Sequence, residues 1–328
     1  MAEAVIEVRG LTKQYGKLTS VDHMDLTIPR GEIFGLLGPN GAGKTTTISM
    51  LVTITKPTSG TARVNGFDIT RESHSVRKQV GIVFQEPSID SILTGRENLE
   101  LHGRLYGVPN PLRKQRIDEL LRLVDLEKRQ HDLARTYSGG MKRRLEIARG
   151  LLHQPAVLFL DEPTLGLDPA TREQIWVYIR RLREERGTTI VLTTHYMEEA
   201  DALCDRIGII DHGKIVALDT PKALKASLGG DLVTLTMKSP DATRFATLPY
   251  VEKAEVKGKD LCLTVRNAPQ HLAELVKLAG DVESVEVHTP TLEDVFLKTT
   301  GRQIRDTYEE GDSAADDMMR YYNNQGGR

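Results

Sequence analysis

Apolar and polar positions along the chain change period several times, and each change predicts a change of element. Val5–Val8 and Val21–Ile28 alternate apolar and polar residues, which predicts half-buried strands and an antiparallel β portion near the start. Ile33–Leu37, Val80–Phe84, Ala156–Leu160 and Thr189–Leu192 are short apolar runs without alternation, the pattern of strands covered on both faces of a parallel sheet. Between the second and third of these runs the period becomes helical. Leu99, Leu101 and Leu105 mark one segment, and Ile117, Leu120, Leu121 and Val124 mark another. The pattern predicts a helical subdomain over about residues 87–155. Its last helix has Met141, Leu145, Ala148 and Leu152 on its apolar face, and the basic run Lys142, Arg143 and Arg144 reads as solvated. A further helix runs through Trp176 and Ile179, and Arg206–Ile210 with Lys214–Leu218 reads as a hairpin around Asp211-His212-Gly213. Lys222–Leu228 reads as a short helix that completes a first domain over residues 5–228.

Gly229-Gly230 breaks the pattern, and a second domain over residues 229–300 follows. Strands are expected at Leu232–Met237, near Val251–Val256, at Leu261–Val265 and at Val282–Val287, with a short polar helix near Asp241–Ala246 and helices at Gln270–Leu278 and Leu292–Leu297. The order β-α-β-β-α-β predicts a ferredoxin-like α+β unit, without any evident catalytic constellation. Residues 301–328 are polar and are expected to be largely disordered, with some helix around Asp317–Tyr322.

Composition narrows the classes of function. The 328 residues are 39% hydrophobic and 27% charged, ordinary globular material with room for a large domain and a smaller one. A formal net charge of −2 lacks the general basicity of a nucleic-acid binder, so no nucleic-acid partner is expected. The two cysteines, Cys204 and Cys262, lie in or beside apolar runs and read as buried thiols in a reducing compartment. The longest apolar runs fall far short of a membrane span, and Met1–Ala4 shows no secretion-signal pattern. The expectation is a cytoplasmic protein that reaches a membrane only through a partner.

The chemistry concentrates after the first buried strand. Gly38-Pro39-Asn40-Gly41-Ala42-Gly43-Lys44-Thr45-Thr46 fits G-x-x-x-x-G-K-[ST] between a strand and a helix, the context this phosphate-binding motif needs. Backbone N–H groups turned inward make a nest for a triphosphate, and Gly38, Gly41 and Gly43 are expected to leave that backbone bare. The helix that follows points its positive end at the phosphates, with Lys44 on the β and γ oxygens and the Thr45 hydroxyl on Mg²⁺. Asp161-Glu162 ends the Ala156–Leu160 strand, where two carboxylates are costly unless a cation such as Mg²⁺ neutralises them. His195 follows the Thr189–Leu192 strand, and ligands in open parallel sheets gather at such C-terminal strand ends. Paired glycines in Ser138-Gly139-Gly140 suit a helix terminus that approaches an anion. Tyr15 falls in a loop; such a residue is ordinarily surface, and it could also stack on a purine.

With the phosphate loop, Gln85, Ser138-Gly139-Gly140, Leu160-Asp161-Glu162, Leu167-Asp168 and His195 in this order, residues 5–228 resemble the ATP-binding subunits of ABC transporters. The whole chain, including Thr291-Leu292-Glu293-Asp294-Val295-Phe296, resembles the daunorubicin-resistance (DrrA-like) exporter ATPases. The signature departs from the commoner form, with Tyr137 and Met141 where Leu and Gln are usual, and Leu165 stands where a small or polar residue is often found. The resemblance implies a P-loop NTPase α/β core with an antiparallel β portion and a helical subdomain. It also implies cofactors ATP and Mg²⁺. Residues Gly38 to Thr46 would hold the phosphates; Thr45 and Gln85 would ligate Mg²⁺ directly and Asp161 through water. Tyr15 would stack on adenine, Glu162 would polarise the attacking water, and His195 would orient the γ-phosphate. Ser138, Gly139 and Gly140 would cap the γ-phosphate of a second subunit's ATP, forming composite sites in a head-to-tail homodimer, and Asp168 would also bind the nucleotide. The implied function is ATP hydrolysis coupled to export of a drug or lipid-like compound through a separate polytopic permease. The alternatives are a non-transport ATPase of this fold acting on DNA or ribosomes, and an importer subunit.

Overall fold

The computed structural model describes residues 3–86 and 88–301. All of the expected tail except Gly301 therefore lies outside the described residues. The chain divides into two compact units, and the division falls between Leu218 and Asp219 rather than after Leu228.

The first unit begins with two long strands, β1 (Ala4–Tyr15) and β2 (Leu18–Pro29), followed by β3 (Ile33–Leu37) and α1 (Lys44–Leu51). Next come β4 (Ser59–Val64), β5 (Phe67–Asp68), α2 (Ser73–Gln79) and β6 (Val80–Val83). The helical insert carries α3 (Gly95–Leu105), α4 (Asn110–Leu123) and α5 (Gly139–Leu151). The remainder is β7 (Val157–Asp161), α6 (Pro169–Arg186), β8 (Thr189–Thr194), α7 (Met197–Leu203), β9 (Arg206–Asp211) and β10 (Lys214–Asp219). Strands β2-β1-β4-β5 form an antiparallel sheet, and β10-β9-β3-β8-β7-β6 form a second sheet whose central pairs are parallel. This is the α/β P-loop architecture with an antiparallel β portion. One core joins the two sheets, with Ile6, Val21 and Val64 from the first and Phe34, Val157 and Phe159 from the second.

The strands without polar alternation are the buried ones: every residue of β3, β7 and β8 is buried. α3 starts with a capping box, in which Thr94 accepts from the Glu97 N–H and the Glu97 carboxylate accepts from the Thr94 N–H. Its leucines do not share one environment. Leu99 is fully buried, whereas Leu101 is 46% and Leu105 75% exposed. Tyr15 is not in a loop; it closes β1 opposite Leu18 and is buried.

The second unit contains α8 (Pro221–Ala226), β11 (Asp231–Met237), β12 (Val251–Lys257), β13 (Asp260–Val265), α9 (Ala268–Ala279), β14 (Val282–His288) and α10 (Leu292–Thr300). α8, expected in the first domain, packs against α10 here. The sheet order β12-β13-β11-β14, with antiparallel neighbours, is the ferredoxin-like order. Its first helix is missing. Between β11 and β12 the chain makes turns, beginning where the Asp241 carboxylate accepts the Thr243 N–H at 2.9 Å, a local bond that competes with helix formation. Phe245 from this segment fills the core with Val233, Leu235, Leu261, Leu263 and Leu275. Cys204 is buried as expected, but Cys262 is only partly so, because it faces away from that core.

Two substitutions check this assignment of inside and outside. Phe34→Ala should destabilise the protein by about 3–5 kcal/mol, whereas Ile54→Ala, at a residue 60% exposed, should cost about 0.5 kcal/mol or less. Urea midpoints compared at constant slope read both.

Candidate functional site

The register of the parallel sheet assembles the site. Leu37 is level with Thr194, Asp161 with Thr193, and Val83 with Leu160. Strands β3, β8, β7 and β6 therefore end along one edge, and the next residues, Gly38, His195, Glu162 and Phe84-Gln85, emerge together. Residues far apart in the chain meet because the strands that carry them are hydrogen-bonded neighbours.

The loop after β3 turns tightly against that edge. The Gly38 N–H donates to the Thr194 carbonyl at 3.3 Å, and the Ala42 N–H donates to Pro39 at 3.3 Å. Gly38 and Gly43 are glycine because of their own chain. A Cβ on Gly38 would lie 2.3 Å from the Ile210 carbonyl, and one on Gly43, at φ +105°, would lie 2.3 Å from the Ser20 carbonyl. Asn40, Gly41 and Thr45 are the exposed members of the loop, while Pro39, Ala42, Lys44 and Thr46 are buried. No side chain caps α1, so its first N–H groups remain as donors for an anion.

Lys44 is 5% exposed. Its ammonium donates to the carbonyls of Gly38 (2.8 Å) and Pro39 (3.0 Å) and lies 3.3 Å from Glu162 Oε1. Burial pushes it below its ordinary value, against the pull of Glu162 and Asp161. Glu162 meets His195 on its other oxygen, with Nδ1 3.1 Å from Oε2. Burial alone would raise the Glu162 carboxyl, but His195 and Lys44 outweigh it and hold the group below the usual range. It is therefore an anion at neutral pH.

Asp161 has the opposite balance. Burial pushes its carboxyl up, although Thr193 and Thr45 both hydrogen-bond to it, Thr45 at 3.3 Å. A hydroxyl beside a carboxylate whose charge is penalised by burial is an all-oxygen donor set that suits Mg²⁺. Gln85 lies at the same edge. It is exposed, and its backbone carbonyl is tied to Arg143.

The other expected residues divide. Ser138 and Gly139 are exposed at the start of α5, where the Ser138 hydroxyl accepts the Met141 N–H at 3.3 Å. A Cβ on Gly140 would meet Thr171 Cγ2 at 2.4 Å, whereas one on Gly139 would meet only Leu167 at 3.4 Å. Asp168 caps α6, accepting from the Thr171 N–H (3.0 Å) and hydroxyl (2.6 Å), a local role that accounts for both of its oxygens. Tyr15 is 6% exposed, and the Lys13 ammonium stands 4.8 Å from its ring centroid, so stacking on adenine requires the ring to be uncovered. The basic run of α5 is not a solvated face: Arg143 is 6% exposed and reaches three backbone carbonyls at the sheet edge. Its signal in the sequence is Glu146, a turn later among Leu145, Ile147 and Ala148, since an acid in an apolar run needs a buried partner.

Residues 21–165 match the family described as ABC transporter, and residues 220–300 match that described as ATP-binding protein DrrA1-3-like, C-terminal domain. The daunorubicin resistance ATP-binding protein DrrA3 of Streptomyces coeruleorubidus is 41% identical over 312 residues, 93% of this chain and 98% of that protein. The chain belongs to the ATP-binding subunits of ABC transporters. It is an ATPase of that family, with ATP as its nucleotide. The Nod factor export ATP-binding protein I of Paraburkholderia xenovorans is 43% identical over 93% of this chain and 100% of its own length. Among solved structures, the dimeric post-hydrolysis state of an ATP-binding cassette bound to ADP and Pi is similar at 28% identity and a TM-score of 0.60, covering 66% of this chain and 98% of that one.

The two signature glycines of this ABC ATPase should respond differently to substitution. Gly139→Ala should melt within about 2 °C of wild type, and Gly140→Ala should lose about 1–3 kcal/mol through overpacking. Thr171→Ser removes the clashing methyl and keeps the hydroxyl that Asp168 accepts from, so it should restore most of that loss in the double variant. Thermal melts of the four proteins read the cycle.

Proposed function

We propose that this ATPase powers a separate polytopic membrane permease that exports a drug or lipid-like compound, and that it works as a head-to-tail homodimer with two composite ATP sites. The observation that carries the dimer is Gly139. It is exposed, its backbone is not in the left-handed region, and its own chain leaves room for a Cβ. The glycine is explained by a phosphate approaching from a second copy. Similarity over nearly the whole length of subunits named for drug resistance and Nod factor export favours export over a role on DNA or ribosomes.

In this reading Lys44 and the N–H groups of the loop bind the phosphates, and Thr45, Gln85 and Asp161 hold Mg²⁺, which supplies charge neutralisation at the phosphoryl oxygens. Glu162 polarises water, and His195, already against its carboxylate, fixes its orientation. Entry of a triphosphate competes with Glu162 for Lys44 and turns the carboxylate toward the water. No helix among the described residues is long and apolar enough to cross a membrane, so attachment to the cytoplasmic face of the membrane falls to the permease. Ile92 (72% exposed), Leu101, Leu105 and Tyr106 put apolar surface on the helical insert that suits such a partner. The second unit, with its own core, serves assembly.

Glu162→Gln should keep ATP binding and lower turnover by about a hundredfold or more, with the dimer accumulating on size-exclusion chromatography in ATP. Wild-type rates in this variant overturn the role given to Glu162. Subunit mixing tests the composite site. A Lys44→Ala chain paired with a Gly139→Asp chain retains a whole site if the halves come from different subunits. A doubly substituted chain paired with wild type retains none. Turnover in the second heterodimer but not in the first overturns the head-to-tail arrangement. Isolation of the protein from membranes without an accompanying permease, under conditions that keep the dimer, overturns the transport reading.

A further inference from the structure

Arg143 lies at the start of the second turn of α5, one turn past the exposed Ser138-Gly139 end, yet its side chain points into the protein. Its Nη1 donates to the Phe84 carbonyl at 2.6 Å, and its Nη2 donates to the carbonyls of Gln85 at 3.3 Å and Glu162 at 3.1 Å. Nη1 is also 3.2 Å from Glu146 Oε2, and the other oxygen of Glu146 accepts the Ser88 N–H at 2.7 Å. One guanidinium thus joins the helix that presents the signature glycines, the segment after β6 that carries Gln85, and the residue after β7 that carries the active carboxylate.

The attachment to Glu162 is unusual because of that residue's backbone. Glu162 has φ +47°, in the left-handed region that non-glycine residues rarely occupy. Such a conformation persists where its surroundings over-determine it. Here the Glu162 N–H is held from the β8 side by the Thr193 carbonyl (3.2 Å) and hydroxyl (3.0 Å), and its carbonyl accepts from Arg143 on the α5 side (3.1 Å) and from the Leu165 N–H of the following turn (3.2 Å). The carboxylate hangs from a residue held through both of its peptide groups, on one side by the sheet and on the other by Arg143 and the turn to Leu165, and of these only Arg143 comes from α5.

We propose that Arg143 is a positioning residue for ATP hydrolysis, holding the Glu162 backbone and the Phe84-Gln85 backbone from one planar fork. Movement of the α5 N-terminus against a phosphate therefore moves the carboxylate and Gln85 together. The geometry of the fork is the requirement. Its nitrogens point at separate carbonyls in fixed directions, whereas a lysine ammonium places all its donors on one atom. The proposal rests on the reading of Glu162 as the group that polarises water.

The test compares R143K, R143Q, E146Q and E162Q as full-length dimers, by steady-state ATPase kinetics, binding of a fluorescent ATP analogue and thermal melting. R143K and R143Q should lower kcat by about tenfold or more while KM for ATP and analogue binding stay within about threefold. E146Q frees one side of the fork and should show the same split with a smaller loss. Adding R143K to E162Q should lower the residual rate by no more than about threefold, because the effect exerted through Glu162 is already lost and only the hold on Phe84-Gln85 remains. A merely structural role would lower melting without the split and would depress the residual rate of E162Q as much as that of the wild type. Folded R143K or R143Q with kcat within about twofold of wild type, beside a dead E162Q, overturns the proposal and leaves the role of Glu162 standing. Failure of both Arg143 variants to fold, with E146Q folded and turning over at the wild-type rate, also overturns it. Wild-type turnover in E162Q removes the reading beneath it.

Discussion

Lys44 and Glu162 face each other at 3.3 Å with side chains 5% and 9% exposed, and much of the first unit exists to make that encounter tolerable. A buried ammonium or carboxylate without partners costs several kcal/mol, so each must be paired and have its remaining hydrogen-bonding capacity met. The carbonyls of Gly38 and Pro39 do this for Lys44, and His195 does it for Glu162. Those groups come from three different strand ends. A slip of one residue in the pairing of β3 with β8, or of β7 with β8, would turn side chains to the opposite face of the sheet and separate them. The fully buried faces of these strands set the register that the charges need.

The same strand ends are tied to α5, the helix that the proposed dimer would present to a second copy. α5 begins at the surface with Ser138 and Gly139 and then runs inward, where Arg143 and Glu146 meet the loops after β6 and β7. A helix exposed at its N-terminus and buried along the face that carries Arg143, Glu146 and Ile147 is well placed to carry a displacement inward. The buried ion pair has little room to reorganise around it. In the proposed dimer, phosphate bound at the tip and the orientation of the carboxylate would be two ends of one element.

The chemistry of the first unit concerns phosphate, a carboxylate and water. The second unit keeps a separate core around Val233, Leu235 and Phe245.

Much of this was legible in the sequence, because it depends on neighbours along the chain. Apolar runs without alternation identified β3, β7 and β8, the glycine-rich loop before a helix identified the phosphate cradle, and Asp161-Glu162 at a strand end identified the carboxylates. Gly229-Gly230 marked where the pattern restarts, although α8 joined the second unit through its contact with α10. Tertiary structure decided the rest. Asp241 closed a local turn with Thr243 and no helix formed; Tyr15 was covered by Lys13; Leu105 was left outside. Arg143 was buried because its partners lie 58 and 59 residues away at Gln85 and Phe84, just as Thr45 meets Asp161 across 116 residues. Periodicity reports which way a side chain points from its own helix or strand. Whether a charged group there meets water or a set of carbonyls depends on what the rest of the chain brings to that face, and only the folded sheet supplies those partners.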